Sequence, residues 1–190
     1  MLARHPRIGS VLLALGQSPV RERNWAAGAE GEEMVAAVLE RRCIDDVLVL
    51  HDRARPRSRA NLDHLAVAPT GVWVIDTKRY RGKKVRVQRP LFGEARMVVG
   101  GRDQAKLVAG LARQVELVSQ VVERVAPGVT VRGAFCFVDA DLPLLGTPDI
   151  DGFPLLGRRG LVRRLNARGP VSRERIERIA AGLASAFPRA

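Results

Sequence analysis

Three ionisable side chains, Asp63, Asp76 and Lys78, interrupt a stretch that is otherwise largely apolar. It reads Asn61-Leu62-Asp63-His64-Leu65-Ala66-Val67, then Ala68-Pro69-Thr70-Gly71, then Val72-Trp73-Val74-Ile75-Asp76-Thr77-Lys78. Carboxylates are hard oxygen ligands suited to Mg²⁺ or Mn²⁺, ions that take one or two carboxylates and fill their shell with waters and substrate phosphates. Such an ion polarises a phosphoryl oxygen and lowers the pKa of an attacking water. A neighbouring lysine orients that water or offsets charge developing in the transition state. The chemistry these residue types suit is hydrolysis of a phosphate ester.

Two apolar runs around a Pro/Gly turn predict a β-hairpin, and its register decides whether the charges meet. With Ala68 to Gly71 as the loop, Val67 faces Val72 and, four pairs back, Asp63 faces Asp76. Lys78 then shares the face of Asp76 by the period of two. A three-residue loop, Pro69 to Gly71, pairs Asp63 with Thr77 and turns the two acids to opposite faces. Pro69 suits the second position of a type I turn and Gly71 a left-handed closing residue, so both loops are compatible with the sequence.

The elements that must position these groups follow from the periodicities. Residues 25–42 show a helical pattern, with Gly28, Gly31, Val35, Val38 and Leu39 on one stripe. Glu32 lies beside that stripe while Glu30 and Glu33 point away, so one carboxylate is carried toward the interior next to glycines that allow close backbone approach. An inward Glu needs a metal or lysine partner, or else it is a boundary residue reaching solvent. Residues 47–51 predict a short strand. Beyond it Arg53, Arg55, Arg57 and Arg59 surround Pro56, a basic loop suited to a phosphate backbone or simply to solvent. After the hairpin, Arg79, Arg81, Lys83 and Lys84 form a second basic run around the lone Tyr80.

Strands are expected at 85–87 and 95–99, and Asp103 is placed to cap a helix over 104–125 ended by Pro127-Gly128. Gln104 in its first turn and Gln114 near its stripe are the polar candidates there. Residues 129–138 are long and apolar enough for a central strand. Asp139 and Asp141 read as turn formers. A Pro/Gly-punctuated segment, a short helix near 158–166 and a last helix over 172–187 complete the chain, with Ser172 as its cap.

At 190 residues the chain can bury a sizeable single core. The formal net charge is +12, and the excess is almost all arginine, since Lys occurs only at 78, 83, 84 and 106. That field implies an anionic partner, nucleic acid first and acidic membrane second. Cys43 and Cys136 lack metal spacing and read as buried thiols of a reducing compartment. The apolar run 8–15 is too short to span a bilayer, so the expected location is cytoplasmic, without a transmembrane segment. Residues 1–24 read as a basic, weakly structured leader with a short helix near 8–16.

The stretches Gly28-Ala29-Glu30-Gly31-Glu32, Asn61-Leu62-Asp63-His64 and Gly71-Val72-Trp73-Val74-Ile75-Asp76-Thr77-Lys78 resemble the nuclease-related domain (NERD) family. The resemblance is most specific over 25–140 and places a single domain at 25–190. It implies an α/β fold with a restriction-endonuclease-like PD-(D/E)xK core, a central mixed sheet whose hairpin carries the acidic site, flanked by helices. By the same resemblance Glu32 matches the helix acid, Asp63 and Asp76 the strand acids and metal ligands, and Lys78 the lysine. The first acid lacks a preceding Pro, and the second is Asp where many relatives have Glu. No clear Asn-Pro-x-x-Gln signature follows, and Gln104 or Gln114 stands in for it.

The leading expectation is thus a Mg²⁺- or Mn²⁺-dependent nuclease acting on DNA rather than RNA, in DNA processing, repair or defence. A homodimer is the oligomer expected of a duplex cutter. The competing readings are a nucleic-acid-binding module without turnover on the same fold, and an adaptor docking through its basic leader.

Overall fold

The computed structural model describes residues 19–190, apart from 59 and 145. The leader up to residue 18, with its expected short helix, and Arg59 lie outside the described residues. Chain order is α1 (Pro19–Arg42), β1 (Leu48–Ala54), β2 (Asn61–Ala68), β3 (Gly71–Arg79), β4 (Val85–Gln88), β5 (Arg96–Val99), β6 (Arg102–Asp103), α2 (Ala105–Val125), β7 (Val131–Val138), β8 (Asp149–Ile150), β9 (Phe153–Gly157), α3 (Arg158–Leu165) and α4 (Arg173–Ala186). The main sheet runs β1-β2-β3-β7-β9-β8, and β4-β5-β6 form a small second sheet. The first three main strands are an antiparallel meander. β7 joins β3 in parallel, β9 joins β7 in parallel, and β8 closes the edge antiparallel.

Both faces of this mixed sheet are covered. On one, Leu65, Val67, Val72, Val74, Phe135 and Leu155 meet the apolar stripes of α2 and α4. On the other, Ala66, Trp73, Ile75, Ala134 and Cys136 meet α1 and α3. Burial on both sides explains why β3 and β7 read as near-continuous apolar runs rather than alternating ones. The nuclease-like core expected from the resemblance is present as this helix-flanked mixed sheet.

Five elements differ from expectation. β1 continues three residues past His51, because pairing with β2 extends through Arg53↔Leu62 and Ala54↔Asn61. Of the arginines expected in a loop, Arg53 is thereby in the strand, while Arg55 and Arg57 lie in the loop that follows it. β6 was hidden in Gly100-Gly101, a turn with both glycines at positive φ. β8 and β9 were hidden in the Pro/Gly segment; Pro154 is tolerated at the border with the two-residue edge strand β8. α1 starts six residues before 25. The caps behave as expected: Asp103 Oδ1 accepts from Ala105 N–H at 2.7 Å, and Ser172 Oγ from Arg175 N–H at 3.5 Å.

Candidate active site

The hairpin register brings the acids together. Val67 pairs with Val72, and the ladder closes one step further at Ala68↔Gly71, leaving Pro69-Thr70 as the turn. Gly71 fits no other residue comfortably: its φ is +118°, and a Cβ there would stand 2.5 Å from the Thr130 carbonyl oxygen. Followed back from His64↔Ile75, the same register sets Asp63 against Asp76 on the α2 face.

Across the parallel pair, Asp76 is level with Phe135 and Lys78 with Phe137, so two of the charges have aromatic neighbours in the adjoining strand. Asp76 is 6% exposed. Its Oδ1 forms an ion pair with the Lys78 ammonium and has no well-aligned hydrogen bond. Asp63 is held by the backbone: its Oδ2 accepts from the Thr77 amide at 2.7 Å, while Lys78 Nζ donates to the Thr77 carbonyl at 3.1 Å. Thr77 thus serves both charges through its peptide groups, a role no side-chain pattern reveals.

Burial sets the protonation energetics. It pushes the Asp63 carboxyl up to about 7, and the charge of Asp76 adds to the rise while Lys78 opposes it. Asp76 is raised by the same loss of hydration, partly offset by Lys78. Burial disfavours the Lys78 ammonium, but Asp76 and Asp63 outweigh it and leave its pKa raised. Two acids share one base on a dry surface, a pattern typical of functional sites.

Glu32 is half-buried and comes in from α1. Its pKa is raised by burial, against the pull of Lys78 and with a further push from Asp52 and Asp76. The glycine beside it explains the approach: a Cβ on Gly31 would lie 3.0 Å from Arg79 Cβ and 3.7 Å from Thr77 Cγ2. Gly31→Leu is therefore expected to lift α1 from β3 and carry Glu32 with it. The expected cost is about 1–3 kcal/mol in a urea melt, and a variant of unchanged stability would show that the contact is not tight.

A cleft of about 820 Å³ between the small sheet and α2 is apolar and acidic and lies away from these charges. A second, of about 720 Å³, adjoins the site through Lys78 and Thr77: Glu32, Lys78, Tyr80, Lys83, Arg102 and Gln104 are on its walls, with Asp63 and Asp76 buried behind them. Tyr80 Oη is 3.5 Å from Gln104 Oε1, which places Gln104 rather than Gln114 at the cleft. Gln114 sits in the middle of α2, its Oε1 buried without a partner, and outside this cleft.

The basic residues divide. Arg79, expected on the phosphate-facing surface, is instead buried between Glu30 and Asp139, and its Nε donates to Asp139 Oδ2 at 2.8 Å. Its charge ties α1 to the end of β7 and is spent inside the fold. Arg55 is likewise occupied locally, by the Ala60 carbonyl and Ser58 Oγ. Arg53 is half-buried in β1. Arg57, Arg81, Lys83 and Lys84 are exposed, and Arg102, not among the basic residues expected to bind, joins Lys83 at the cleft. Asp52 was also missed. It is left-handed at φ 47°, lies opposite Asp63 in the β1–β2 register, and binds the Asn61 amide at 2.8 Å.

Among the described residues, no group of three or more His, Cys, Asp or Glu side chains is gathered into a metal cage. Two carboxylates facing each other are nonetheless the donor set that Mg²⁺ accepts, and the buried Asp76 Oδ1 lacks a well-aligned hydrogen bond. No helix among the described residues is long and apolar enough to cross a membrane. The family model for the nuclease-related domain matches residues 27–138. No curated protein and no solved structure gives a significant match.

Proposed function

The chain belongs to the nuclease-related domain family, and from that premise we propose that it hydrolyses phosphodiester bonds of DNA with a divalent metal ion. The observation that carries this reading is the convergence of Asp63, Asp76 and Lys78 on one face, with Lys78 on the wall of a basic cleft. Asp63 and Asp76 would hold Mg²⁺ or Mn²⁺. When bound, the ion supplies Lewis-acid polarisation and a more acidic water.

The chain's own residues do the rest. The Thr77 amide fixes Asp63, so one ligand is oriented before any cation arrives. Lys78 keeps its proton under the influence of both acids. Its ammonium is placed to meet charge growing on the phosphoryl oxygens. Glu32, its pKa raised by burial, lies on the cleft wall where it can accept or pass a proton. Lys83 and Arg102 hold the flanking phosphates, and Gln104 and Tyr80 shape the opposite wall.

The direct test is cleavage of linear, nicked and supercoiled DNA with Mg²⁺, Mn²⁺ or EDTA. Metal-dependent cutting is expected. Binding without cutting by pure protein on all three substrates would replace the nuclease with a non-catalytic binding module.

Metal uptake has its own readout in thermal stability. An acid whose folded pKa exceeds its unfolded value contributes stability that is present below the unfolded pKa and lost as pH rises through the folded one. For Asp63 that window runs from its ordinary 3.8 to about 7, so the metal-free protein loses stability across it. A cation needs the ionised carboxylates and gains affinity over the same range. Saturating Mg²⁺ is expected to raise the melting temperature by roughly 5–10 °C at pH 8, using about 2.7 kcal/mol for a hundredfold excess over Kd. Little shift is expected at pH 5, and equal shifts at both pH values would contradict the assignment of the ligands.

A further inference from the structure

Among the described residues, the hairpin of β4 and β5 carries a feature the site does not use. Val85, Met97 and Val99 of these strands are buried, while Arg86, Gln88 and Arg96 point outward. Register pairs Gln88 with Arg96, so the loop spans 89–95. At its tip Leu91 is 92% and Phe92 88% exposed. The other four phenylalanines, Phe135, Phe137, Phe153 and Phe187, are buried or half-buried. Adjacent large apolar side chains on a surface mark an interaction site more often than a lone one does.

The loop is held in place. Arg89 Nη2 donates to the Asp149 carbonyl at 2.9 Å, fastening its base to β8, and Gly93 supplies the left-handed turn at φ +106°. The other end of the hairpin is the cleft wall itself. The Gly100 amide bonds the Lys84 carbonyl at 3.0 Å, and Lys83, Val99 and Gly100 border the cleft. From Lys84 to Leu91 the chain reaches at most about 23 Å at 3.3 Å per residue. That equals about seven stacked nucleotides at 3.4 Å each.

We propose that this hairpin is a stacking arm, and that Phe92, backed by Leu91, takes an unpaired base of the strand that leaves the catalytic cleft. The inference rests on the nucleic-acid reading of that cleft. Charge complementarity and continuity support it: Lys83, Lys84, Arg86 and Arg96 mark a basic path from the cleft to the tip. An aromatic ring adds sequence-tolerant affinity for any base whose face is free. Bases inside a duplex offer no free face, so the arm favours single strands, frayed ends and forks. Substrate choice then follows strand structure and not sequence.

Binding measured in EDTA separates this from catalysis. Fluorescence anisotropy with dT20 and with a 20-base-pair blunt duplex would compare wild type, Phe92→Ser and Phe92→Trp. Phe92→Ser is expected to weaken dT20 binding about 10-fold, with duplex affinity nearly unchanged and the salt dependence preserved, since no phosphate contact is lost. Phe92→Trp is expected to keep the affinity, and its added indole fluorescence should be quenched by dT20. Unchanged dT20 binding by Phe92→Ser, equal loss on both DNAs, or no wild-type binding to dT20 would each overturn the proposal. So would a Phe92→Ser defect confined to 1:1 phosphatidylglycerol–phosphatidylcholine vesicles, which would make the tip a membrane contact. A wild type that never cuts DNA but shows the Phe92 effect would sink the nuclease reading and leave the arm standing.

Discussion

Asp76→Asn is expected to remove metal-dependent cleavage while raising the melting temperature of the metal-free protein. The first effect follows from taking away a ligand and the charge that fixes Lys78, and is expected at about 10³-fold or more. The second follows from counting charges. Two carboxylates and one ammonium are buried together, which leaves one negative charge in excess where hydration is poor. Removing Asp76's charge leaves Asp63 and Lys78 as a matched pair and lets the Asp63 pKa fall, because Asp76 is among the causes that raise it. A rise of about 2–4 °C at pH 8 corresponds to about 1 kcal/mol in a domain of this size. Cleavage within tenfold of wild type would remove Asp76 from the chemistry. A lower melting temperature would show that the ion pair with Lys78 outweighs the excess charge.

Lys78→Met should act in the opposite sense on stability. It leaves two acids without their ammonium, and breaking a pair this buried typically costs about 3 kcal/mol or more. Both carboxyl pKa values then rise further, so the loss is greatest above neutrality and shrinks where the acids take up protons. Urea melts at pH 8 and pH 5 should therefore differ, with most of the destabilisation appearing at pH 8. Cleavage is expected to fall about 10²–10³-fold. Equal destabilisation at both pH values would mean that Lys78 matters through packing of its aliphatic stem and not through charge.

The parts legible in the sequence were those whose signal is local. The runs around Asp63 and Asp76 announced a hairpin, and its apolar set admitted a register that puts both acids on one face. The choice between registers was not legible because Pro69 and Gly71 suit both loops, and the structure closes the ladder at Ala68↔Gly71. Arg79 is the instructive exception among the basic residues. A run of like charges gives no sign of which member finds partners, and Glu30 and Asp139 are 49 and 60 residues away in the chain. Thr77 stayed invisible because its peptide acts, and peptides are the same everywhere. β9 was missed for another reason: Phe153-Pro154-Leu155-Leu156 is short, and its place beside β7 is decided by tertiary pairing.

The family match ends at Val138, yet α3 and α4 lie beyond it and contribute Leu161, Leu165, Ile176 and Leu183 to the two apolar layers. The length of chain that carries the family match is therefore shorter than the length that packs into the two apolar layers. Likeness marks where chemistry restrains substitution; cooperativity reaches as far as the last side chain needed to dry both faces of the sheet. An excision guided by the family boundary would keep every acidic residue of the cleft and strip the support from beneath them.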